Sequence, residues 1–442
     1  MKNRVALHTL GCKLNYAETS SIGSQFFSHD FEIVKFDEKP DIFVFNTCTV
    51  TENAEKECRQ LVRRALRINP EAFIIVTGCY AQLRPEEISK ISGVDVVLGS
   101  NEKFKLFSLI ENFEKNNLAC IHVSPTDQLN EFGSSSSSEA DTRTRAFFKI
   151  QDGCDYKCSF CTIPLARGIS RSMDIDAAVN EFKKLLDEGY KEIILTGVNV
   201  GDYGSNSQIN LFTLLKSLIK IEGEFRIRIS SIEPNLLSDD IISLTADNEK
   251  LCNHFHIPLQ SGSDKILRLM QRRYTASDYY KVVNTATKKI KDLGIGVDVI
   301  TGFPEENNND FLSTHSFLHD LPISYLHVFT YSERPNTKAI NFANVVPIVE
   351  RKKRNNILRS LSEKRKNEFY QKMISKNLQV LFEEENHNGE MMGFSSNYVR
   401  VKHPYDHSLV NTFSDVLISG VNNRLCEGQI LEKKFSVDLV HI

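Results

Sequence analysis

Short apolar runs alternate with amphipathic segments along the first part of the chain. The runs at 5–7, 42–45, 73–76 and 94–98 are rich in valine, isoleucine and phenylalanine, and the segment 53–68 between two of them has helical spacing. Continuous apolar strands separated by helices are typical of a parallel sheet that is covered on both faces. The pattern therefore predicts an α/β domain over residues 1–120.

A second domain over residues 144–350 is predicted by six further apolar runs, at 146–148, 192–195, 225–228, 254–257, 297–300 and 325–328. Most are followed by Gly, Ser or Pro and then by polar residues, as expected where loops at the C-terminal edge of a barrel carry ligands. Six β/α units are two short of a closed eight-stranded barrel. We therefore expect a partial (β/α)6 barrel with a lateral mouth wide enough for a macromolecule.

Three polar or basic segments complete the predicted division. Residues 121–143 include the serine-rich stretch 133–138 and indicate a flexible linker. Residues 351–376 hold ten Lys or Arg against two Glu and predict a basic connecting helix, whose charges could also be an ordinary solvated face. Residues 377–442 alternate short apolar runs with turn residues, which is typical of small β-barrels that hold nucleic acid.

The composition excludes several classes of protein. The 442 residues include 54 Lys or Arg and 57 Asp or Glu, a net charge of −3, which excludes a uniformly basic nucleic-acid coat protein and an acidic disordered chain. No stretch reaches the roughly 20 apolar residues that a membrane span requires, so we expect a soluble, cytoplasmic protein with no membrane partner. Ten cysteines in a reducing compartment are expected to bind metals or act in redox chemistry rather than to form disulfides.

Three cysteines, Cys154, Cys158 and Cys161, lie on one loop directly after a predicted strand. This CxxxCxxC segment, which we call the loop triad, can hold three irons of a 4Fe–4S cube and leave the fourth iron without a protein ligand. A zinc knuckle with a distant fourth ligand is the alternative.

Three other cysteines have no common spacing but occupy the same kind of position, directly after a predicted strand. Cys12, Cys48 and Cys79, which we call the dispersed triad, each follow a predicted strand of the first domain. Parallel strands bring such ends to one edge of the sheet, where ligand sites of α/β sheets form, so these thiols could converge. The alternative is that they are small buried apolar residues. The other four cysteines share no spacing and are expected to be structural thiols: Cys58, Cys120, Cys252 and Cys426.

Eight short motifs carry a resemblance that covers nearly the whole chain. Around the dispersed triad the sequence reads TLGCKLN at 9–15, NTCTV at 46–50 and GCYAQ at 78–82, and after the loop triad it reads LTGVN at 195–199, RISSIEP at 228–234, HIPLQSG at 256–262, DVITGFP at 298–304 and YSERP at 331–335. These motifs resemble those of the methylthiotransferase family of radical S-adenosylmethionine (SAM) enzymes. The sequence departs from the family pattern where Glu305 and Asn336 replace loop glycines.

The resemblance implies an N-terminal flavodoxin-like α/β domain, a partial (β/α)6 radical SAM barrel and a small C-terminal all-β barrel of the TRAM type. It implies two 4Fe–4S clusters, with the loop triad holding the one whose open iron binds SAM and the dispersed triad holding an auxiliary cluster that supplies sulfur. One electron would cleave SAM to a 5'-deoxyadenosyl radical, a second SAM would donate the methyl group, and the C–H at adenine carbon 2 would become C–S–CH3. No catalytic side chains beyond the cluster ligands are implied.

The resemblance also assigns roles to individual side chains. Seven residues at strand ends are placed near SAM or the reaction chamber, although each could be a polar loop residue without a ligand: Thr196, Gly197, Asn199, Ser230, Glu233, His256 and Gln260. In a tRNA enzyme the basic helix becomes a phosphate-binding stripe, and the terminal barrel can add a local patch. The cations expected to bind tRNA are Lys364, Arg365, Lys366, Arg400 and Lys402.

Three substrates are compatible with the family: N(6)-threonylcarbamoyladenosine next to the tRNA anticodon, N(6)-isopentenyladenosine in tRNA, or an aspartate of a ribosomal protein. The Gly-Cys-Lys of residues 11–13, where the isopentenyl group of enzymes has Gly-Cys-Gln, favours the threonylcarbamoyl substrate. The expected partners are the tRNA anticodon stem-loop and a reductant protein such as a flavodoxin or ferredoxin, acting on a monomer. A radical SAM enzyme that modifies a peptide and a zinc-dependent RNA-binding protein are the competing classes.

Overall fold

The computed structural model describes residues 3–49, 52–115, 118–137, 144–205 and 207–431, so residues 138–143 of the predicted linker and 432–442 of the predicted C-terminal domain lie outside the described residues. The described chain forms an open parallel sheet, a partial barrel and a small closed barrel, in that order, which confirms the predicted fold class. None of the helices within these ranges is long and apolar enough to cross a lipid bilayer.

The N-terminal sheet has six parallel strands in the order β2-β1-β3-β4-β5-β6. Its elements are β1 (Arg4–Thr9), α1 (Lys13–Ser28), β2 (Glu32–Ile33), β3 (Ile42–Thr47), α2 (Glu52–Ile68), β4 (Phe73–Gly78), α3 (Cys79–Leu83), α4 (Pro85–Ser89), β5 (Val96–Leu98), α5 (Leu106–Leu109) and β6 (Cys120–His122). Every residue of β3 and β4 is buried, as the continuous apolar runs predict. The parallel order places the ends of β1, β3 and β4 at one edge of the sheet.

The serine-rich stretch is not a flexible linker over its described part. Residues Ser135–Ser136 form β7, which pairs antiparallel with the first barrel strand. Ser135 and Ser137 are each 2% exposed, and the backbone N–H of Ser136 donates to Ser21 in α1. The prediction is wrong here because small serine side chains can be buried once their backbone completes the edge of a sheet.

Six parallel strands build the partial barrel. They are β8 (Arg145–Lys149), β11 (Glu192–Thr196), β12 (Arg226–Ile229), β13 (His254–His256), β14 (Gly294–Thr301) and β15 (Tyr325–Thr330), with a hairpin of β9 (Gln151–Asp152) and β10 (Arg171–Ser172) after the first. Their helices are α6 (Ile163–Arg167), α7 (Ile175–Asp187), α8 (Leu211–Leu218), α9 (Asp239–Asp247), α10 (Asp264–Leu269), α11 (Ala276–Lys289) and α12 (Asn308–Asp320). Parallel bridges between 231 and 256 and between 227 and 251 join the two three-stranded halves.

The side chains of the barrel strands alternate between two environments. Residues such as Phe148, Ile193, Ile227 and Val299 pack in the hydrophobic core with the helices. Because successive side chains of a strand point to opposite faces, their neighbours face the inside of the barrel. We call these neighbours the inner face: Arg145, Phe147, Lys149, Glu192, Ile194, Arg226, Arg228, His254, His256, Asp298, Ile300, Tyr325 and His327. Most are polar or charged, so the inside is a chamber for a polar ligand rather than a packed core.

The basic helix α13 (Ile348–Gln371) starts earlier than predicted and buries two of its cations. Arg351 pairs with Glu333 at 2.5 Å and Arg354 with Glu306 at 2.8 Å. These two arginines fix the helix to the barrel and are not part of an exposed stripe.

The C-terminal strands form a closed five-stranded barrel in the order β16-β17-β18-β20-β19. They are β16 (Asn377–Phe382), β17 (Glu390–Ser395), β18 (Arg400–Pro404), β19 (Phe413–Asn422) and β20 (Leu425–Ile430). Arg226 of the inner face donates to the backbone oxygens of Gln379 (3.1 Å) and Phe394 (2.7 Å), so this small barrel closes one end of the chamber.

Candidate active site

The loop triad lies between β9 and α6, at the C-terminal edge of the barrel strands. Its cysteines are partly exposed, and each sulfur accepts an N–H group. The donors are the Tyr156 backbone to Cys154 (3.4 Å), the Arg272 side chain to Cys158 (3.2 Å) and the Ile163 backbone to Cys161 (3.4 Å). Burial raises the pKa of Cys154 and of Cys161 to about 12, so a bound metal is needed to keep these thiols ionised at neutral pH. The donor set fits an iron–sulfur cluster.

A pocket of about 230 Å³ opens beside Cys161. Aromatic and aliphatic side chains form much of its wall, among them Phe160, Ile300 and Tyr331, and Gln260 adds a polar group. Such walls can stack a flat purine while polar groups fix its orientation. The pocket therefore fits the adenosyl part of SAM next to the loop triad.

Three of the predicted SAM residues carry buried polar atoms that make no hydrogen bond within the described chain: Thr196 Oγ1, Ser230 Oγ and both side-chain heteroatoms of Asn199. Because buried polar atoms without partners are costly, they indicate a polar ligand in the chamber. Gly197 has a different role. A Cβ at that position would lie 2.8 Å from Gln151 Oε1, so the glycine permits close packing.

The other three predicted residues have separate environments. Glu233 forms an ion pair with Arg272, the donor to the loop triad. On the inner face, His256 Nε2 lies 2.8 Å from Asp298 Oδ1. Gln260 borders the pocket directly and has a left-handed backbone, with φ of 68°. Of these three residues, Gln260 is thus the one in the wall of the pocket.

The dispersed triad converges where β1, β3 and β4 end. A Cβ placed on the glycine before Cys12 would lie 2.6 Å from Cys48 Cβ. Cys12 Sγ is 3.8 Å from Asn15 Oδ1, which also accepts a hydrogen bond from Arg167 at 2.8 Å. The same arginine donates to Cys79 Sγ at 3.1 Å. Asn15 and Arg167 therefore link Cys12 with Cys79, and Cys48 lies against the glycine that precedes Cys12.

Arg167 belongs to a buried network of charges that no motif indicated. It lies 2.9 Å from Glu18 and 3.0 Å from Asp152, and Glu18 also pairs with Lys103 (2.6 Å) and Lys149 (3.1 Å). These five side chains are between 0% and 7% exposed. Because the three cations exceed the two carboxylates, the network has a positive charge beside the dispersed triad, and an anionic cluster of thiolates would compensate it.

Sequence reasoning missed the side chains that hold the cysteines. Asn15 lies inside the motif around Cys12, which is the signal that could have identified it. Glu18, Arg167 and Arg272 lie in none of the motifs. Glu18 and Arg167 are 149 residues apart in the chain, so only the fold brings them together.

Two of the predicted tRNA-binding cations border the chamber. Lys366 and Arg400 line a cavity of about 420 Å³ together with Tyr325 and Tyr398. Arg400 also pairs with Glu383 at 2.6 Å. This cavity connects the basic helix to the inner face.

The other three predicted tRNA-binding cations do not line this cavity and already have acidic partners. Arg365 pairs with Glu368 at 2.8 Å, and Lys364 is 4.0 Å from the same residue. Lys402 pairs with Glu390 at 2.9 Å. To bind a phosphate, Arg365 and Lys402 would have to exchange these partners.

Both loops that depart from the family pattern keep a glycine-like backbone. Glu305 has φ of 72° and Asn336 has φ of 65°. Glu305 is held in this conformation by the Asn344 side chain, which donates to its carboxylate at 2.6 Å.

Two family models match the chain: residues 148–318 match the radical SAM superfamily and residues 4–99 match an uncharacterized protein family, UPF0004. Among solved structures, the radical S-adenosylmethionine methyltransferase TsrM from Kitasatospora setae, with cobalamin and a [4Fe-4S] cluster bound, has a TM-score of 0.55 at 14% identity and covers 77% of each chain. At this identity the likeness shows the fold alone.

Curated relatives cover most of the chain. Threonylcarbamoyladenosine tRNA methylthiotransferases from Aquifex aeolicus and Bacillus subtilis are 39% and 36% identical, over 90% and 97% of this chain and 96% of each relative. A tRNA-2-methylthio-N(6)-dimethylallyladenosine synthase from Clostridium novyi is 33% identical over 88% of both chains.

The barrel, the loop triad and the superfamily match define a radical SAM enzyme, with SAM and an iron–sulfur cluster as cofactors. The identity and coverage of the relatives go further, because the chain belongs to the methylthiotransferase family of these enzymes. It is therefore a sulfur-transferring radical SAM enzyme.

Proposed function

We propose that this enzyme inserts sulfur and a methyl group at carbon 2 of N(6)-threonylcarbamoyladenosine next to the tRNA anticodon. The observation that carries the proposal is that relatives named for this substrate align with 90% and 97% of the chain, at 39% and 36% identity. The relative named for dimethylallyladenosine aligns with 88% of the chain at 33% identity.

Two 4Fe–4S clusters are proposed, one on each triad. When bound, they and SAM supply the electron, the radical, the sulfur and the methyl group. The chain binds and orients these groups: the loop triad receives three N–H donors, Thr196, Asn199 and Ser230 offer buried polar atoms to SAM, and Arg167 supports the dispersed triad. Because carbon 2 carries no acidic proton, we assign no side chain as a general base.

Phosphate contacts are proposed for Lys364, Arg365, Lys366, Arg400 and Lys402. Lys366 and Arg400 support this assignment because they share a cavity with Tyr325 and Tyr398, and cations beside aromatic rings suit unstacked RNA loops.

The phosphate assignment is tested by replacing Lys364, Arg365 and Lys366 with Glu. We expect weaker tRNA binding with a shallower salt dependence, since backbone contacts release counterions, while SAM cleavage persists. Lys183→Glu on the exposed surface of α7 is the control. Unchanged tRNA affinity in the triple variant would remove the basic helix from the proposal.

A protein reductant, a monomeric state and a cytoplasmic location complete the proposal. A flavodoxin or ferredoxin is the class of donor required, because each cleavage of SAM consumes one electron. The compartment follows from tRNA as the substrate.

The substrate is tested by nucleoside mass spectrometry after anaerobic reaction of the iron-loaded enzyme with two tRNAs. One tRNA carries N(6)-threonylcarbamoyladenosine and the other N(6)-isopentenyladenosine. We expect the 2-methylthio product from the first. A product from the isopentenyl form only would establish the alternative substrate, and transfer of label from SAM into ribosomal protein instead of tRNA would establish the aspartate.

A further inference from the structure

The first turn of α1 faces the inside of the barrel. Tyr16 and Ala17 pack against Phe147 and Ile194, and the rings of Tyr16 and Phe147 stack with centroids 6.1 Å apart. Both barrel residues belong to the inner face. Helix residues three and four positions apart share a face. Lys13, one turn before Tyr16 and Ala17, is therefore directed toward the same chamber.

The Lys13 ammonium lies where the three parts of the molecule meet. Its electrostatic neighbours are Arg145, Arg228 and Glu192 of the inner face and Tyr398 of the terminal barrel. The guanidinium of Arg228 lies 5.0 Å from the centre of the Tyr398 ring, so these groups form one cluster.

The carboxylates at this junction are already used by arginines. Glu192 accepts hydrogen bonds from Arg226 at 2.6 Å and from Arg228 at 2.7 Å. Arg145 pairs with a glutamate of the terminal barrel at 3.2 Å. Within the described part of the chain, no group accepts a hydrogen bond or ion pair from the Lys13 ammonium. A lysine without an acceptor that lies beside two arginines favours an anionic ligand.

The position of Lys13 limits which anion can reach it. Lys13 follows Cys12 directly, so an anion bound there lies beside the dispersed triad. It would also lie on the inner face, away from the exposed side of the basic helix. A base that enters this chamber for reaction at carbon 2 brings its N(6) substituent with it. The threonylcarbamoyl substituent ends in a carboxylate, whereas an isopentenyl substituent has no charge.

We propose that Lys13 binds the carboxylate of the threonylcarbamoyl group and thereby selects the modified adenosine. This inference rests on the proposed function. A site built to hydrogen-bond a charged group rejects analogues that lack the group, because they leave the buried partner unpaired. Lys13 is thus a specificity-determining residue for the reaction.

The test measures binding of anticodon stem-loop RNAs to the iron-loaded enzyme and to its K13Q variant. Three RNAs differ only at the reacting adenosine, which carries the threonylcarbamoyl group, its methyl ester or no modification. We expect K13Q to weaken binding of the threonylcarbamoyl RNA by roughly tenfold to a hundredfold and to leave the other two unchanged. For the wild-type enzyme, the methyl ester should weaken binding by the same factor.

Two control variants separate charge from structure. K13R keeps a cation at the position and should restore most of the affinity. Lys183→Gln removes a cation from the exposed surface of α7 and should change nothing. Iron and sulfide analysis of K13Q shows whether the adjacent Cys12 site is intact. If it is not, the comparison of acid and ester on the wild-type enzyme still decides the question.

Equal weakening of all three RNAs by K13Q would assign Lys13 to a backbone phosphate and overturn the inference. Equal affinity of the wild-type enzyme for the acid and the ester would do the same. The proposed function fails in a different way, if the wild-type enzyme methylthiolates only the isopentenyl tRNA. If instead it methylthiolates the threonylcarbamoyl tRNA and K13Q keeps that preference, only the role of Lys13 is wrong.

Discussion

The two cysteine triads are built in different ways. The loop triad lies within residues 154–161. Two of its sulfurs accept backbone N–H groups from within ten residues of sequence, those of Tyr156 and Ile163, so one local segment sets most of its geometry. The dispersed triad takes one cysteine from the end of each of three strands, and Arg167 contacts it from the barrel. The loop triad therefore depends on the barrel alone, whereas the dispersed triad depends on the docking of the N-terminal sheet against the barrel.

The largest expected effect comes from removing each triad in turn. Replacing Cys154, Cys158 and Cys161 with Ala should abolish both SAM cleavage and sulfur insertion, because both require the radical. Replacing Cys12, Cys48 and Cys79 should abolish sulfur insertion but leave SAM cleavage, with about half of the iron lost. The assays are 5'-deoxyadenosine release, nucleoside mass spectrometry and iron content.

The control for the triad variants is Cys120→Ala, at an exposed position on β6, which should keep all iron and activity. Loss of SAM cleavage in the variant without the dispersed triad would contradict the separate roles of the two triads.

The features of the two triads that the sequence could predict are the local ones. The positions of Cys48 and Cys79 at strand ends are local properties, since the apolar runs at 42–45 and 73–76 lie within β3 and β4. The salt bridge of Arg167 with Glu18 is not local, because it forms only when α6 and α1 meet. Polar residues that pair across domains look like ordinary surface residues in a sequence.

Composition also misled at the serine-rich stretch, where the described residues 135–137 pair with β8. Their burial depends on a partner strand, which composition cannot show. The inner face is a similar case. The alternation of Arg226, Ile227 and Arg228 predicts a strand. The hydrogen-bond partners of the two arginines, however, are backbone oxygens of the terminal barrel, which the strand pattern does not indicate.

The second prediction compares the arginine that contacts each triad. Arg167→Met removes the hydrogen bonds to Glu18, Asp152 and Asn15, while Lys103 and Lys149 still pair with the two carboxylates. The loss of these charge-assisted bonds should destabilise the protein by about 3–5 kcal/mol. Arg272→Met leaves Glu233 without its cationic partner. Because burial raises the pKa of Glu233, this carboxyl can become neutral by binding a proton, and the variant should lose about 1–3 kcal/mol of stability. Thermal unfolding of the iron-free protein measures both. An equal or larger loss for Arg272→Met would contradict the dependence of the dispersed triad on the interdomain network.

The third prediction compares the glycines that precede the triads. Gly11 has φ of +106° and a Cβ there would lie 2.6 Å from Cys48 Cβ, whereas Gly153 has φ of +71° and a Cβ there would lie 1.9 Å from the Ile169 oxygen. The backbone strain of either alanine costs about 1–2 kcal/mol, and the clash should displace only the neighbouring triad. Gly11→Ala should therefore lose auxiliary iron and keep SAM cleavage, while Gly153→Ala should lose SAM cleavage.

The matched control for the glycine variants is Gly189→Ala, which has φ of +91° and no atom within 4 Å of the new Cβ. It carries the strain without the clash and should keep all iron. Iron loss from this variant would show that backbone strain alone, rather than the clash of the new Cβ, explains the other two.

The smallest expected effect is a difference in pH response between two carboxylates, one near each triad. Burial alone would raise the pKa of Glu18, but the positive charges of Arg167 and Lys103 have the larger effect and hold this pKa well below its usual value. Glu18 therefore stabilises the fold above the pKa of the unfolded chain, about 4.3, and this stability is lost as pH falls below that value. Burial raises the pKa of Glu233, and Arg272 offsets this only in part. The folded state then binds the proton more tightly, so stability is gained as pH falls through the raised pKa.

Thermal unfolding of the iron-free protein between pH 7 and pH 4 measures how its stability changes with pH. The variants Glu18→Gln and Glu233→Gln are the references, because an amide at either position cannot titrate. The stability advantage of the wild-type protein over Glu18→Gln should shrink as pH falls. Its stability relative to Glu233→Gln should increase over the same range, because the wild-type carboxyl becomes protonated and resembles the amide. Each change should be on the order of 1 kcal/mol. Slopes of the same sign would show that the two triads lie in similar electrostatic surroundings and would remove the contrast between a loop site and an interdomain site.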